Sequence, residues 1–117
     1  MLDRDQVFGH LDFSLRSYFE CNSKVLGRFT IDLNEEPVTI GRNKKCSVVL
    51  DDESISWEHA QVFCDGEEYY IEDLGSTNGI RLNNVKIVKS VLHHLDHVRI
   101  GETELVFMGN GVGHRRS

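Results

Sequence analysis

Three short polar stretches carry residue types that can bind an anion, and all of them follow apolar runs of the chain. Arg42 has a planar guanidinium that can donate two parallel hydrogen bonds to a phosphate, and it stays charged at any working pH. Ser56 and Thr77 carry short hydroxyls that can donate to a phosphate oxygen. Asn78 has an amide that can hydrogen-bond an extended peptide backbone. These residue types are able to bind an anion, and Asn78 could add a contact to a peptide backbone.

Each of these residues also has an ordinary structural interpretation. Arg42 taken alone is typical of a solvated surface arginine. Ser56 and Thr77 are also typical of turn residues whose hydroxyls bond their own backbone. Asn78 is also a residue type that turns select for its tolerance of a positive φ. The two interpretations of Asn78 are compatible with each other.

The stretch L-G-S-T-N-G-I contains the strongest turn signal in the sequence. Asn78 and Gly79 both tolerate a positive φ, so the pair predicts a type I′ reversal. Gly75 adds a second permissive joint upstream. Ser76 and Thr77 lie between the joints, and we expect their hydroxyls to point outward. A loop stiffened in this way presents polar groups at fixed positions, which suits an anion.

His59 and three neighbouring side chains complete the candidate site. His59 begins an apolar strand, where a histidine is more often a structural group than a catalyst. Trp57 directly follows Ser56, and we expect it to be exposed beside the phosphate. Lys44 and Lys45 follow Arg42 in the same polar loop, so these lysines and Trp57 are candidate contacts to the residues that flank the phosphate.

Many short apolar runs separated by turn signals predict an all-β domain. Alternation is clear in residues 28–33, and the sequence predicts strands at 17–22, 28–33, 38–41, 48–50, 60–64, 68–74, 80–82, 85–88, 96–100 and 103–108. No segment has a sustained helical period. The pattern favours a β-sandwich or barrel. We expect Cys21 and Cys64 to pack as small core hydrophobes, and residues 48–50 to be buried.

Composition narrows the class of protein. The chain has 117 residues, about the commonest domain size, and 39% of them are apolar. A net charge of −6 argues against nucleic-acid binding. No apolar run is long enough to span a membrane, and the first residues lack the pattern of a signal peptide. Three cysteines without a C-x-x-C motif predict free thiols in a reducing, intracellular compartment, either nuclear or cytoplasmic.

Gly41-Arg42, Ser56-x-x-His59 and Asn78-Gly79, in that order, resemble the pattern of the forkhead-associated (FHA) domain. The resemblance selects a sandwich of two largely antiparallel sheets, with a phosphothreonine site on the loops at one end. It implies that Arg42, Ser56 and Thr77 bind the phosphate and that Asn78 binds the peptide backbone. It also implies that Gly41, His59 and Gly79 support these loops.

The resemblance covers residues 17–108. It leaves 1–16 as a tail or linker and 109–117 as a second tail. It implies a domain that needs no cofactor or metal. The implied partner is a phosphothreonine-containing protein or peptide, and not nucleic acid or a membrane. We expect this domain to be monomeric and to belong to a longer protein. The sequence departs from the family pattern at two positions. Trp57 stands where a basic or small polar residue is usual, which affects the expected specificity for flanking residues. Ile80 stands where threonine is frequent, at the start of a strand, and no loss of function is expected from it.

Three alternatives compete with phosphopeptide binding. The first is a self-association or scaffolding domain with a weak phosphate pocket and Trp57 as its contact. The second is a hydrolase with a triad of Ser56, His59 and either Asp73 or Asp96, although the chain has no G-x-S-x-G motif. The third is a zinc site, which a histidine-rich segment suggests through His93, His94, Asp96 and His97. We expect neither catalysis nor a metal site.

Overall fold

The computed structural model describes residues 17–109, so the two predicted tails lie outside the described residues except for Gly109. These residues form eleven β-strands: β1 Ser17–Ser23, β2 Gly27–Leu33, β3 Val38–Gly41, β4 Val48–Val49, β5 Ala60–Asp65, β6 Glu68–Asp73, β7 Ile80–Leu82, β8 Val85–Ile87, β9 Lys89–Val91, β10 His97–Ile100 and β11 Thr103–Met108. The all-β prediction is confirmed. No helix of residues 17–109 has the length and apolar character needed to cross a membrane.

The strands form two sheets that pack face to face. One has six strands in the order β2-β1-β11-β10-β7-β8, and the other has five in the order β4-β3-β5-β6-β9. Every pair is antiparallel except β3 and β4, which run parallel. The predicted sandwich of two largely antiparallel sheets is therefore confirmed.

Alternation along the strands builds the core between the sheets. In β2, Ile31 and Leu33 are buried while Thr30 and Asp32 are exposed, as the period of two requires. Phe19 of β1 and Phe107 of β11 meet edge to face, with ring centroids 5.5 Å apart. Burial of such large apolar side chains supplies most of the favourable free energy of folding.

The structure corrects three details of the sequence prediction and confirms the burial of Cys21. Strand β9 was not predicted, because two of its three residues, Lys89 and Ser90, are polar and the strand is too short to show an alternation. Residues 48–50 are buried only at Leu50, since β4 is an edge strand and its two valines are half-buried. Cys21 is buried, and burial raises the pKa of its thiol to about 12. Cys64 is only half-buried, near the turn that closes the β5–β6 hairpin, so its assignment to the core is wrong.

The type I′ turn lies at a different Asn-containing pair from the one that was predicted. Asn83 and Asn84 both have a positive φ, 51° and 72°, and they join Leu82 to Val85 in the β7–β8 hairpin. In the Asn78-Gly79 pair only Gly79 has a positive φ, at 80°. That pair therefore does not form a type I′ reversal, and Asn78 is not selected there for its φ.

Leu95 has a positive φ of 72° with a 55% exposed side chain, so its backbone is strained without much packing in return. A left-handed conformation costs a residue with a branched apolar side chain roughly 1–2 kcal/mol, and asparagine tolerates it better. We expect Leu95→Asn to raise the free energy of unfolding by about 1 kcal/mol, which is roughly 4–8 °C in melting temperature.

The matched control is Leu26→Asn, because Leu26 is 54% exposed and has no positive φ. A surface substitution of that kind should change the unfolding free energy by no more than about 0.5 kcal/mol. Urea denaturation of both variants decides the matter. Equal effects at the two positions would show that backbone strain at Leu95 is negligible.

Candidate functional site

Three loops at one end of the sandwich bring the predicted site residues together. They are the β3–β4 loop (residues 42–47), the β4–β5 loop (50–59) and the β6–β7 loop (74–79). Backbone hydrogen bonds join the first two, from Arg42 N–H to the Ser56 carbonyl at 3.1 Å and from Asn43 N–H to the Trp57 carbonyl at 3.0 Å. The candidate anion-binding residues therefore rest on backbones that are tied to each other.

Gly41 is required because the two loops approach too closely for a side chain. A Cβ atom at this position would lie 2.3 Å from the Trp57 carbonyl oxygen and 3.0 Å from the Glu58 Cα. Contacts this short with backbone atoms cannot be relieved without moving a loop. Gly41 thus sets the spacing between the backbone of Arg42 and that of Ser56.

His59 joins the β4–β5 loop to the β6–β7 loop from inside the protein. Its ring is fully buried. The Nδ1 atom accepts a hydrogen bond from Ser56 N–H at 3.0 Å, and Nε2 lies 2.8 Å from the Gly79 carbonyl oxygen. Because Nδ1 accepts, the ring proton is on Nε2, which donates to Gly79. Both ring nitrogens are therefore occupied by backbone groups of two different loops.

Ser56 and Thr77 are held side by side by a direct hydrogen bond. The backbone N–H of Thr77 donates to Ser56 Oγ at 2.9 Å. The oxygen of Ser56 is engaged as an acceptor, so its own hydroxyl proton remains free to be donated outward. Thr77 is exposed and Ser56 is half-buried. The two hydroxyls are thus adjacent at the surface.

Asn78 is exposed but already uses part of its amide inside the protein. Its Nδ2 donates to the Ser54 carbonyl oxygen at 3.1 Å. A second N–H and the Oδ1 acceptor remain for a ligand. The bond to Ser54 fixes the orientation of the side chain, which sequence reasoning did not foresee.

Asp73 organises the β6–β7 loop, and sequence reasoning missed this role. Its Oδ2 accepts from Gly75 N–H and from Ser76 N–H, both at 3.2 Å, and its Oδ1 accepts from the Ser76 hydroxyl. Ser76 Oγ in turn accepts from Gly79 N–H at 2.8 Å. The Ser76 hydroxyl thus points inward, contrary to prediction. The available signal was an aspartate two residues before a glycine, a spacing that is typical of an Asx-turn.

Asp52 and Ser54 form a second anchor that the sequence analysis did not identify. Asp52 Oδ1 accepts from both the backbone N–H and the hydroxyl of Ser54, each at 2.9 Å. The pKa of the Asp52 carboxyl lies below its usual range, mainly because the Ser54 backbone N–H donates to it. Ser54 Oγ also accepts from Glu102 N–H at 2.9 Å. Ser54 therefore links the Asn78 side chain to the β10–β11 turn.

Four flanking or phosphate-directed side chains project into solvent around this frame. Arg42, Lys44 and Lys45 are exposed, and Trp57 is 63% exposed, as the sequence predicted for the tryptophan. The guanidinium of Arg42 makes no hydrogen bond or ion pair with another residue in the range 17–109. Its charge still contributes to lowering the pKa of Asp52. The site therefore presents a cation without an ion-pair partner among residues 17–109, on a backbone that is bonded to Ser56.

The geometry does not assemble the hydrolytic triad. His59 Nδ1 accepts from the backbone of Ser56 and not from its hydroxyl, and Nε2 faces Gly79 instead of a carboxylate. The ring cannot take the Ser56 hydroxyl proton in this arrangement. Asp73 is bound to the loop that follows it, as described above.

The histidine-rich segment also does not converge on a metal position. His94 Nδ1 accepts from Gly109 N–H at 3.1 Å, while His93 Nδ1 lies 4.0 Å from Asp96 Oδ2. Within residues 17–109, no three His, Cys, Asp or Glu side chains form a group that could hold a metal ion.

Comparison with known proteins agrees with this fold and these loops. The family model of the FHA domain matches residues 38–101. The chain is 43% identical over 76 residues to FhaB, an FHA domain-containing protein of Mycobacterium tuberculosis, covering 64% of this chain and 49% of FhaB. It is 37% identical over 82 residues to the glycogen accumulation regulator GarA of Mycolicibacterium smegmatis, covering 69% of this chain and 50% of GarA. The chain thus spans about half the length of these two relatives.

Solved structures give the same result. An FHA domain solved in work on phosphothreonine-dependent FHA interactions superposes with a TM-score of 0.72 and 28% identity, covering 80% of this chain and 95% of that one. EmbR of Mycobacterium tuberculosis in complex with a low-affinity phosphopeptide superposes with a TM-score of 0.74 and 26% identity, covering 92% of this chain and 30% of EmbR. The fold and site define a β-sandwich recognition module. The chain belongs to the FHA domain family.

We expect His59→Ala to destabilise the domain strongly, because it leaves the Ser56 N–H and the Gly79 carbonyl without partners. Each unsatisfied buried group costs about 1–3 kcal/mol, so the loss should be about 2–5 kcal/mol of unfolding free energy. His97→Ala is the matched control, since His97 is exposed. Urea denaturation measures both. Equal, small losses would show that the His59 ring is not what joins the loops.

Proposed function

We propose that this domain binds a phosphothreonine-containing segment of a partner protein, with the phosphate held by Arg42, Ser56 and Thr77. The observation that carries the proposal is the exposed Arg42 guanidinium, which has no partner among residues 17–109, on the same loop end as two surface hydroxyls. Phosphothreonine carries nearly two negative charges at neutral pH, so charge-assisted hydrogen bonds dominate its recognition.

Preorganisation of the loops supports this proposal. Asp73, Asp52 and His59 fix two of the loops before any ligand arrives, and backbone hydrogen bonds tie the β3–β4 loop to the β4–β5 loop. Ordering loops and side chains on binding costs free energy, and a frame that is already ordered avoids much of that cost. Asn78 is oriented by Ser54, and we propose that its remaining amide groups hold the backbone of the ligand.

The residues next to the phosphothreonine would meet Lys44, Lys45 and Trp57. Trp57 is the only tryptophan of the chain, and its backbone is fixed because its carbonyl accepts from Asn43 N–H. A rigidly based, exposed indole offers a large apolar surface to a flanking side chain. Its fluorescence also gives a direct signal for ligand binding at this site.

We infer that the domain acts by binding and not by catalysis. The occupied ring nitrogens of His59 support this inference, as does the name of GarA, which calls that relative a regulator. An intracellular setting is consistent with the three cysteines, Cys21, Cys46 and Cys64, all of which are free thiols. The partner protein would be recognised by its phosphorylated threonine.

Self-association is the second candidate function, because Trp57 exposes 63% of its surface. An exposed aromatic side chain can be the centre of a protein interface. Sedimentation of the wild-type domain and of Trp57→Ala, with and without phosphopeptide, separates the two candidates. A dimer that forms without phosphopeptide and is lost in Trp57→Ala would favour self-association.

We expect Arg42→Ala to abolish measurable phosphopeptide binding while the fold is retained, since the side chain is exposed. Removal of one partner of a desolvated, hydrogen-bonded charge pair costs about 2–5 kcal/mol, which is roughly 30-fold to several thousand-fold in affinity. Arg42→Lys should restore binding only in part, because an ammonium cannot reproduce the two parallel hydrogen bonds. Titration calorimetry with one phosphopeptide measures the loss.

Arg28→Ala is the matched control for Arg42, because Arg28 is also exposed and lies on β2. Its affinity should equal that of the wild type, and thermal melts should show that every variant is folded. Wild-type affinity in Arg42→Ala would place the phosphate site elsewhere.

Membership of the FHA family favours phosphothreonine over phosphoserine, because the threonine methyl is expected to fill a small apolar recess. One methyl group in such a recess is worth about 1–3 kcal/mol, or roughly 10–200-fold in affinity. Two peptides that differ only by this methyl group, titrated against Trp57 fluorescence, measure the preference. Equal affinities for the two peptides would contradict the expected recess for the methyl group. They would not contradict the phosphate site, because both peptides would still bind.

A further inference from the structure

Three cations lie side by side on the outer face of the six-stranded sheet. Arg99 of β10 is directly opposite Arg81 of β7, and Arg81 is directly opposite Lys86 of β8. All three side chains are exposed. We call them the cationic row. Neighbouring strands are about 4.8 Å apart, so the charges of the row are adjacent across three strands.

The cationic row is only partly neutralised by the protein. Arg99 donates to Glu104 at 2.9 Å. Arg81 makes one long hydrogen bond of 3.5 Å to the Asn84 carbonyl, and Lys86 has no hydrogen bond or ion pair with another residue of the range 17–109. Like charges directly opposite each other destabilise a sheet. In a chain of net charge −6, three adjacent cations with one carboxylate are an electrostatic cost that an anionic ligand would relieve.

A cleft next to the cationic row can receive such a ligand. It has a volume of about 320 Å³, and its polar lining consists of Arg81, Arg99, His97, Asn83, Asn84 and Glu104. The Glu104 carboxylate accepts from Arg99, so within residues 17–109 the Arg81 guanidinium is the cation of the lining that no carboxylate pairs with. Guanidinium groups of adjacent strands donate in parallel, which fits the oxygen atoms of a carboxylate or a phosphate. The cleft therefore matches an anionic group better than an apolar one.

The cationic row is continuous with the phosphothreonine site. The Lys86 side chain lies against Gly79, such that a Cβ built on Gly79 would be 2.7 Å from Lys86 Cε and 3.5 Å from its Nζ. Gly79 directly follows Asn78, and Arg81 is two residues further along β7. A ligand backbone that leaves Asn78 over the outer face of β7 would pass Lys86 and then reach Arg81.

We propose that the cationic row binds an anionic stretch of the same partner segment that carries the phosphothreonine. Arg81, which lines the cleft, is four residues after Thr77, so at roughly 3.3 Å per residue about four residues of extended ligand can span the interval. The stretch consists of aspartate or glutamate residues or of a second phosphorylated residue, since both present the same oxygen chemistry. This inference rests on the proposed phosphothreonine site.

Four synthetic peptides test the inference by titration of Trp57 fluorescence. One has a single phosphothreonine with neutral flanks. Two add three aspartates beginning four residues from the phosphothreonine, on the amino-terminal or on the carboxy-terminal side. The fourth replaces the aspartates of the better of these with one phosphoserine, which distinguishes carboxylate from phosphate. We expect one acidic direction to bind about three- to tenfold tighter than the neutral peptide.

Arg81→Gln and Lys86→Gln should each reduce this gain while leaving the affinity for the neutral peptide unchanged. Arg28→Gln is the matched control, because Arg28 lies on the same sheet four strands from Arg81, about 19 Å away, and its loss should leave the gain intact. Arg81→Gln should melt at the same temperature as the wild type or higher, since it relieves like-charge repulsion. A structural role for Arg81 would lower the melting temperature instead.

The outcomes separate the inference from the function on which it rests. Binding of the neutral peptide with no gain from either acidic stretch would overturn the inference alone. A gain that persists in both Arg81→Gln and Lys86→Gln would also overturn it, by placing the anion elsewhere. If none of the peptides binds, the proposed function fails and the inference fails with it.

Discussion

The buried ring of His59 is the interaction on which the site depends. It accepts from Ser56 N–H with one nitrogen and donates to the Gly79 carbonyl with the other, so a single side chain fixes two loops from below. The ring is fully buried, so its bonds do not compete with water. Ser56 Oγ then accepts from Thr77 N–H, and the two surface hydroxyls come together. The loops could not hold this geometry if each were anchored only to itself.

Two carboxylates that accept hydrogen bonds from the loop backbones complete the frame. Asp73 caps the β6–β7 loop, while Asp52 holds Ser54, which in turn orients Asn78. Hydrogen bonds from Ser54 keep the pKa of Asp52 low, so this anchor is present at neutral pH and is lost only as pH falls through its depressed pKa. Asp52 and Asp73 thus bond to the loops, and neither forms an ion pair with Arg42.

Much of this architecture could be predicted from the sequence because the strands alternate and the turns contain glycine or asparagine. Ile31 and Leu33 illustrate the alternation, and Gly75 has the predicted positive φ, 82°. Local patterns fail where a tertiary contact decides the outcome. The inward hydroxyl of Ser76 depends on the Asp73 carboxylate. Asn78 has no positive φ, and its amide is bound to the Ser54 carbonyl of another loop. Cys64 is only half-buried because it lies beside the β5–β6 turn, a position that its side-chain type alone does not reveal.

The most direct test of the account is an amide chemical-shift titration of the ¹⁵N-labelled domain with one phosphothreonine peptide. His59 ties the β4–β5 loop to the β6–β7 loop, and backbone hydrogen bonds from Arg42 and Asn43 tie the β3–β4 loop to the β4–β5 loop. A phosphate bound there should therefore perturb all three loops at once. The account predicts that the largest shift changes fall on residues 41–43, 54–59 and 75–79, and that the unphosphorylated peptide produces none of them. Changes centred instead on the outer face of the five-stranded sheet, around Phe63 and Tyr70, would contradict it.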